Sequence, residues 1–325
     1  MGFIVDICTG ATQGIGKAVA ESIAHHRAME IASAADGALP PSYALFLVGR
    51  NTERGRKSAE DIQSKESGGL FSVYFESCDL SDYGSVLDLK ERVCQRLGCD
   101  DDDRSLQYKV GILVNDAAEC PMQQHFVIRS KRDEDGKITS EQIDKQFASN
   151  VLGYHFTMKA FQPHFSSDAS LTGDVPKKTH ICNIASNWSG DLDLDDLHFK
   201  RRPYDNDSAY RQSKACDRML TKIWSEKLVQ NAFVNSCHPG DPCTTLSRAL
   251  GYNLWASAPS RNMVEEGSPI PHLCGFGSSP LTTTGGWYDG GGRSPSPMRC
   301  RFSLMKSDIQ RLYDICDSFA ISKAA

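Results

Sequence analysis

Thr9-Gly10-Ala11-Thr12-Gln13-Gly14-Ile15-Gly16 follows the apolar run Phe3-Ile4-Val5-Asp6-Ile7-Cys8 and precedes Lys17-Ala18-Val19-Ala20-Glu21-Ser22-Ile23-Ala24. The first run predicts a buried strand, and Ala18, Val19, Ile23 and Ala24 share one face of a predicted helix. Strand, glycine turn, helix is the context in which closely spaced glycines carry chemical meaning. Glycines let the chain turn sharply and let its backbone approach a pyrophosphate. The helix N-terminus adds free N–H groups and the positive end of a dipole. The spacing here is Gly-x-x-x-Gly-x-Gly, not Gly-x-Gly-x-x-Gly.

Five further apolar, β-branched segments alternate with helical patterns: Tyr43 to Val48, Phe71 to Ser77, Val110 to Val114, His180 to Ala185 and Phe233 to Cys237. Such alternation predicts βαβ units and a parallel sheet. The expected fold is α/β, a Rossmann-type doubly wound parallel sheet of about seven strands with helices on both faces. A single domain is expected over residues 1–325, with a short last strand at Gly286-Trp287-Tyr288. The preceding helix is weak, because Pro269, Pro271 and Pro280 interrupt it. Glu30 to Pro41, the acidic run Asp100 to Asp103, Arg129 to Lys137 and Ser166 to Lys178 read as solvated loops. The Gly-, Pro- and Ser-rich region 246–300 reads as irregular substrate-side loops.

The net charge of −5, with 24% charged and 40% hydrophobic residues, gives no reason to expect nucleic acid or an anionic membrane as partner. No run approaches the roughly 18 apolar residues of a membrane span, so no integral membrane segment is expected. The first strand begins too close to Met1 to leave room for a signal peptide. Twelve cysteines are scattered singly, with no C-x-x-C pair, and read as reduced thiols of a cytoplasmic protein with no metal site. The C-terminal Ser322-Lys323-Ala324-Ala325 is not a peroxisomal address. A monomer or homodimer is expected.

Polar or glycine signals follow all six strands: Gly10, Arg50, Asp79, Asn115, Ser186 and Pro239-Gly240. In open α/β sheets ligands bind outside the carboxyl ends of the strands, so a ligand is expected along this rim. At the end of the second strand an acid would hydrogen-bond a ribose 2′-hydroxyl, whereas an arginine accommodates a 2′-phosphate. Gly49-Arg50-Asn51 presents an arginine and no acid before Glu53, which favours NADP(H) over NAD(H). Asp79-Leu80 suits the adenine edge, or Asp79 caps the next helix, Ser81 to Leu97.

Tyr210 and Lys214 are four apart and share one face of a predicted helix. A phenol titrates near pH 10 and is a poor acid or base at neutral pH until a nearby cation stabilises its anion. Ser186, at the end of the fifth strand, is placed to donate to a substrate carbonyl where charge develops.

Together these motifs resemble the short-chain dehydrogenase/reductase family, over about Phe3 to Gly240 and more loosely to Phe319. Thr9 to Gly16 matches the family's Thr-Gly-x-x-x-Gly-Ile-Gly, Asp79 its adenine-side Asp, and Asn115 the first residue of its Asn-Asn-Ala-Gly. Asn150 matches a helix Asn that holds a proton-relay water; Ser186, Tyr210 and Lys214 match the catalytic Ser, Tyr and Lys. Ser186 precedes Tyr210 by 24 positions, with Asp195-Asp196-Leu197 and Phe199 between, which is similar to the retinol-dehydrogenase-like branch. Gly286-Trp287-Tyr288 resembles that branch's Gly-Lys-Tyr-Phe. The resemblance implies a cofactor set of Gly10, Thr12, Gln13, Gly14, Ile15, Gly16, Arg50, Asp79, Leu80, Asn115, Ala117, Tyr210, Lys214, Pro239, Gly240 and Thr244. Asp116 and Ala118 depart from the pattern, standing where Asn and Gly are usual. Pro242 removes a backbone N–H that the family directs at the nicotinamide carboxamide.

The implied activity is NADP(H)-dependent hydride transfer to or from a small-molecule carbonyl or alcohol. The alternative is a catalytically silent NADPH-binding scaffold. An epimerase or dehydratase would also use Tyr-x-x-x-Lys, but usually opens with Gly-x-x-Gly-x-x-Gly, absent here.

Overall fold

The computed structural model describes residues 2–33, 41–66, 70–99, 108–165, 178–240, 244, 246, 269–276, 282–289 and 305–322. Seven strands form one sheet: β1 (Phe3–Thr9), β2 (Ser42–Gly49), β3 (Phe71–Ser77), β4 (Tyr108–Asn115), β7 (Thr179–Ile184), β8 (Ala232–His238) and β9 (Trp287–Asp289). Their order is β3-β2-β1-β4-β7-β8-β9, and every pairing in it is parallel. The winding reverses between β1 and β4, which creates the crevice where such sheets bind ligands.

The strands read as continuous apolar runs because both faces are covered. In β1, Val5 and Ile7 pack into a core with Val86, Leu89, Phe156 and Leu220. Ile4 and Cys8 point into a second core with Val19, Ile23 and Ile62. Helices α1 (Gly14–Ala32) and α2 (Thr52–Lys65) thus lie on one face. On the other lie α3 (Tyr83–Arg96), α5 (Gly153–Phe161) and α6 (Asn206–Lys227). The expected sheet, its strands and the layers on both faces are present.

Two elements differ from the sequence reading. Arg129 to Lys137 lies in a hairpin, β5 (Phe126–Arg132) against β6 (Ile138–Asp144), and not in an unstructured loop. Its outer face alternates exposed Phe126, Ile128 and Ser130, so no apolar stripe announces it. The ladder and the Lys131–Glu141 ion pair (3.1 Å) hold it together. Helix α3 begins at Tyr83, with the Asp82 carboxylate accepting from Ser85 N–H (3.1 Å). Asp79 is therefore not its cap. The proline-interrupted stretch near 270 is a single turn, α7 (Ile270–Leu273).

Two features aim the site. The one-turn helix α4 (Lys145–Phe147) passes into a π turn, Ala148–Leu152, before α5. Such bulges reorient side chains and recur at functional sites. The long helix α6 starts where Asp205 accepts from Ser208 N–H (2.8 Å), which fixes the phase of Tyr210 and Lys214.

A C-terminal helix, α8 (Lys306–Ser318), closes the outer side of α6, with Leu312 and Cys316 in the same core as Cys216 and Trp224. Asp317 near its end bonds the buried His155 (3.3 Å) and Lys159 of α5. The His155 bond first, then Lys159, hold the Asp317 carboxyl at about 2, below its ordinary 3.8. A carboxyl lowered on folding stabilises above its unfolded value, and that contribution is lost as pH falls through the folded one. Thermal stability of the wild type should therefore drop more steeply between about pH 4 and pH 2 than that of Asp317→Asn. Parallel melting curves in that range would refute this by showing equal slopes.

Candidate active site

The glycine turn forms the first wall. Gly10 has φ +71°, and a Cβ there would lie 2.8 Å from the backbone nitrogen of Ala117. Only glycine lets the exits of β1 and β4 come this close. Gly14, with φ +61°, opens α1, and a Cβ there would meet the Thr244 side chain, with Cγ2 at 3.6 Å. Thr9 Oγ1 pins the junction: it donates to Val114 O (3.3 Å) and accepts from the N–H groups of Asp116 (3.0 Å) and Ala117 (3.3 Å).

A cavity of about 720 Å³ runs along the carboxyl ends of the strands. That size suits a substantial organic ligand. Gly10, Thr12, Gln13, Gly14 and Ile15 line it from the first turn, with Arg50 and Arg54 beyond β2 and Asp79 and Leu80 beyond β3. Ala117, Ser186, Tyr210, Lys214, Pro239, Gly240 and Thr244 also line it. The residues fit a dinucleotide: a helix N-terminus without a side-chain cap for its pyrophosphate, and Arg50 just past the end of β2.

Three residues of the expected set lie behind this wall. Gly16 packs so tightly that a Cβ would stand 2.7 Å from both Gly10 O and Asp116 Oδ2. Asn115 is fully buried, donating to Asn183 Oδ1 (2.9 Å) and accepting from Thr157 Oγ1 (2.8 Å). Asn150, also buried, clamps the Glu119 backbone: it accepts from Glu119 N–H (2.8 Å) and donates to Glu119 O (3.0 Å). It further donates to Ser213 Oγ (3.1 Å). Strand-end position indicates the rim but not the depth of each side chain. Pro242 lies outside the described residues.

The Ser186 hydroxyl faces that of Tyr210 and favours its ionisation. Ser186 Oγ also accepts from Trp188 N–H (3.1 Å). The Lys214 ammonium donates to Ile184 O (2.9 Å), Asp217 Oδ2 (3.0 Å) and Tyr154 Oη (3.4 Å), using all three donors. Burial raises the Tyr210 hydroxyl above its ordinary value of 10, and Lys214 only partly offsets this. The expected lowering by lysine is thus present but outweighed. For Lys214 burial opposes the charge, yet the carboxylate of Asp217 prevails and keeps the amine above its usual value.

Four residues of consequence are missing from the sequence reading. Asp217 is completely buried, and its Oδ1 has no hydrogen-bond partner among the described residues. Burial pushes its carboxyl up to about 7 against the pull of Lys214. Its spacing, three beyond Lys214 on one helix, was the available signal. Tyr154 shares the same ammonium. Arg129, from the hairpin, reaches back to Asp79 Oδ2 (3.2 Å) and Ser81 O (2.6 Å) at the rim beyond β3. Glu119 pairs with Arg50 (3.0 Å) across the cavity mouth. Asp116, the departure from the family pattern, faces the first turn of α1; burial raises its carboxyl to about 6, while Lys214 and the Gly16 N–H oppose this.

The profile of the family described as short chain dehydrogenase matches residues 5–253. Retinol dehydrogenase 13 of Mus musculus is 28% identical over 250 residues, covering 75% of this chain and 60% of that protein. L-xylo-3-hexulose reductase of Hypocrea jecorina is 24% identical over 251 residues, covering 77% and 70%. The chain therefore spans about 60% of the length of the retinol dehydrogenase it matches. Among solved structures, NADPH-bound carbonyl reductase from chicken fatty liver superposes with a TM-score of 0.58 at 20% identity, covering 92% of this chain and all of that one. An uncharacterized Mycobacterium paratuberculosis protein gives 0.62 at 16% identity, covering 98% and 93%. These structures share the fold.

Asp217 subtracts from the charge that Lys214 presents to Tyr210. Asp217→Asn should lower the pH at which Tyr210 ionises. Near-ultraviolet tyrosinate titration, differenced against the Tyr210→Phe protein in each background, reads this directly. An unmoved or raised midpoint would contradict it.

Proposed function

The chain belongs to the short-chain dehydrogenase family, on its retinol-dehydrogenase-like branch, and from that membership we propose an NADP(H)-dependent oxidoreductase that interconverts a small-molecule carbonyl and its alcohol. The observation that carries this reading is one cavity holding both the glycine turn and the Ser186–Tyr210–Lys214 group. When bound, the reduced nicotinamide supplies a hydride. The chain's own residues handle the oxygen and its proton. Ser186 donates to the carbonyl oxygen, where negative charge develops. Tyr210 transfers its hydroxyl proton to that oxygen, and Lys214 stabilises the phenolate left behind. In the alcohol-oxidising direction Tyr210 accepts the proton.

Asn150 holds the Glu119 backbone, and with it the β4 exit, against Ser213 of α6. Its part in this reading is to position the wall beside Tyr210. Gly10, Gly14 and Thr12 receive the pyrophosphate side, Asp79 and Leu80 the adenine, and Pro239, Gly240 and Thr244 the nicotinamide side. Arg50 receives a 2′-phosphate, the ground for preferring NADP(H). The relatives' names, a retinol dehydrogenase and a hexulose reductase, both denote alcohol–carbonyl chemistry, which supports the substrate class. Residues 1–325 are read as one domain. A catalytically silent NADPH-binding scaffold is not favoured, because the three reacting side chains converge.

Screening NADPH consumption over aldehydes, ketones and quinones tests the activity. Tyr210→Phe should lose at least about a hundredfold in turnover, with NADPH affinity nearly unchanged; full activity in this variant would remove Tyr210 from the mechanism. Arg50→Ala should weaken NADPH by about ten- to a hundredfold, the value of a charge-assisted phosphate contact, and leave NADH unaffected. Equal loss for both cofactors would sink the assignment of Arg50.

A further inference from the structure

Arg50 approaches the cavity from the end of β2, Glu119 from the loop after β4, and their side chains meet at 3.0 Å. The two residues are 69 positions apart, so the pair is a product of the fold. Its halves are unequally fixed. Glu119 Oε1 accepts from Ser149 Oγ (2.6 Å), Lys145 Nζ lies 3.7 Å from Oε2, and the Glu119 side chain is 17% exposed. The Arg50 side chain is 57% exposed. The acid is the more firmly held half of the pair.

This matters for cofactor choice. A 2′-phosphate needs the Arg50 guanidinium, and Glu119 already neutralises it. Binding the phosphate therefore exchanges one anion for another. A cofactor with a 2′-hydroxyl makes no such demand and leaves the pair intact. On release of Arg50, Glu119 retains Ser149 and Lys145, so the acid is not stranded.

We propose that Glu119 is a specificity-determining residue that competes with the 2′-phosphate for Arg50 and so moderates the preference for NADP(H) over NAD(H). The inference rests on the reading of Arg50 given above. It adds a residue with no place in the glycine turn or in the reacting group. The backbone of Glu119, not its side chain, is what Asn150 clamps. Glu119→Gln thus removes the charge while keeping that clamp and a hydrogen-bonding partner for Ser149.

Dissociation constants for NADPH and NADH, from nucleotide fluorescence, should be measured for wild type, Glu119→Gln, Arg50→Ala and the double variant. Glu119→Gln should bind NADPH about two- to fivefold more tightly, the scale of a partly exposed ion pair. NADH affinity should stay at the wild-type value and report an intact site. The gain should vanish in the Arg50→Ala background. No gain, an equal gain for both cofactors, or a gain that survives Arg50→Ala would overturn the proposal. If Glu119→Gln loses NADH binding, Glu119→Ser replaces it under the same criteria. The two readings fail differently. Loss of NADPH in Arg50→Ala with no effect of Glu119→Gln refutes only the role of Glu119. Indifference of Arg50→Ala to the 2′-phosphate refutes the reading of Arg50 itself.

Discussion

The buried ammonium of Lys214 is the constraint on which the site depends. An unpaired charge away from water is too costly to keep, so its three donors must find acceptors. They find them on three elements: Asp217 on α6 itself, Ile184 O at the end of β7, and the Tyr154 hydroxyl on α5. Tyr154 also donates to Ile184 O (3.0 Å), which closes the arrangement. Satisfying one cation thus fixes a helix, a strand end and a neighbouring helix relative to one another. Tyr210 stands on α6, and Ser186 follows two residues after the end of β7. The arrangement proposed for proton transfer is therefore inherited from a requirement of burial.

The same economy extends under the sheet. Thr157 donates to Asn115, Asn115 to Asn183, and Asn183 to Thr221 (2.9 Å), a polar line from α5 through β4 and β7 to α6. Every member is buried. Such chains are costly when partly satisfied and rigid when complete. This one is connected from end to end directly behind the cavity. The rim is less enclosed, and Arg50 there is more than half exposed.

Most of the fold is legible in the chain because parallel strands covered on both faces leave unbroken apolar runs such as Tyr43 to Val48. Gly10 and Gly14 are legible because a backbone junction leaves no room for a Cβ at one and opens a helix at the other. Tyr210 and Lys214 follow from helical spacing. Other features leave no such trace. The β5–β6 hairpin buries little of its outer face, so its alternation carries no apolar period. Asn115 and Asn150 are expected at the site but lie behind its wall, because sequence gives order along the chain and not depth. Asp217 resembles an ordinary solvated acid near a lysine until its complete burial is known. Glu119 meets Arg50 only because β2 and β4 flank β1 in the sheet.

If Ser186, Tyr210 and Lys214 act as proposed, hydride passes between the nicotinamide and an external carbonyl. NADPH carrying deuterium at the transferable C4 position, incubated with the wild-type protein and a carbonyl substrate from the screen, tests it most directly. Mass spectrometry should find a single deuterium on the carbinol carbon of the product, and none with Tyr210→Phe. Tight NADPH binding with no deuterium leaving the cofactor for any carbonyl tested would contradict the account.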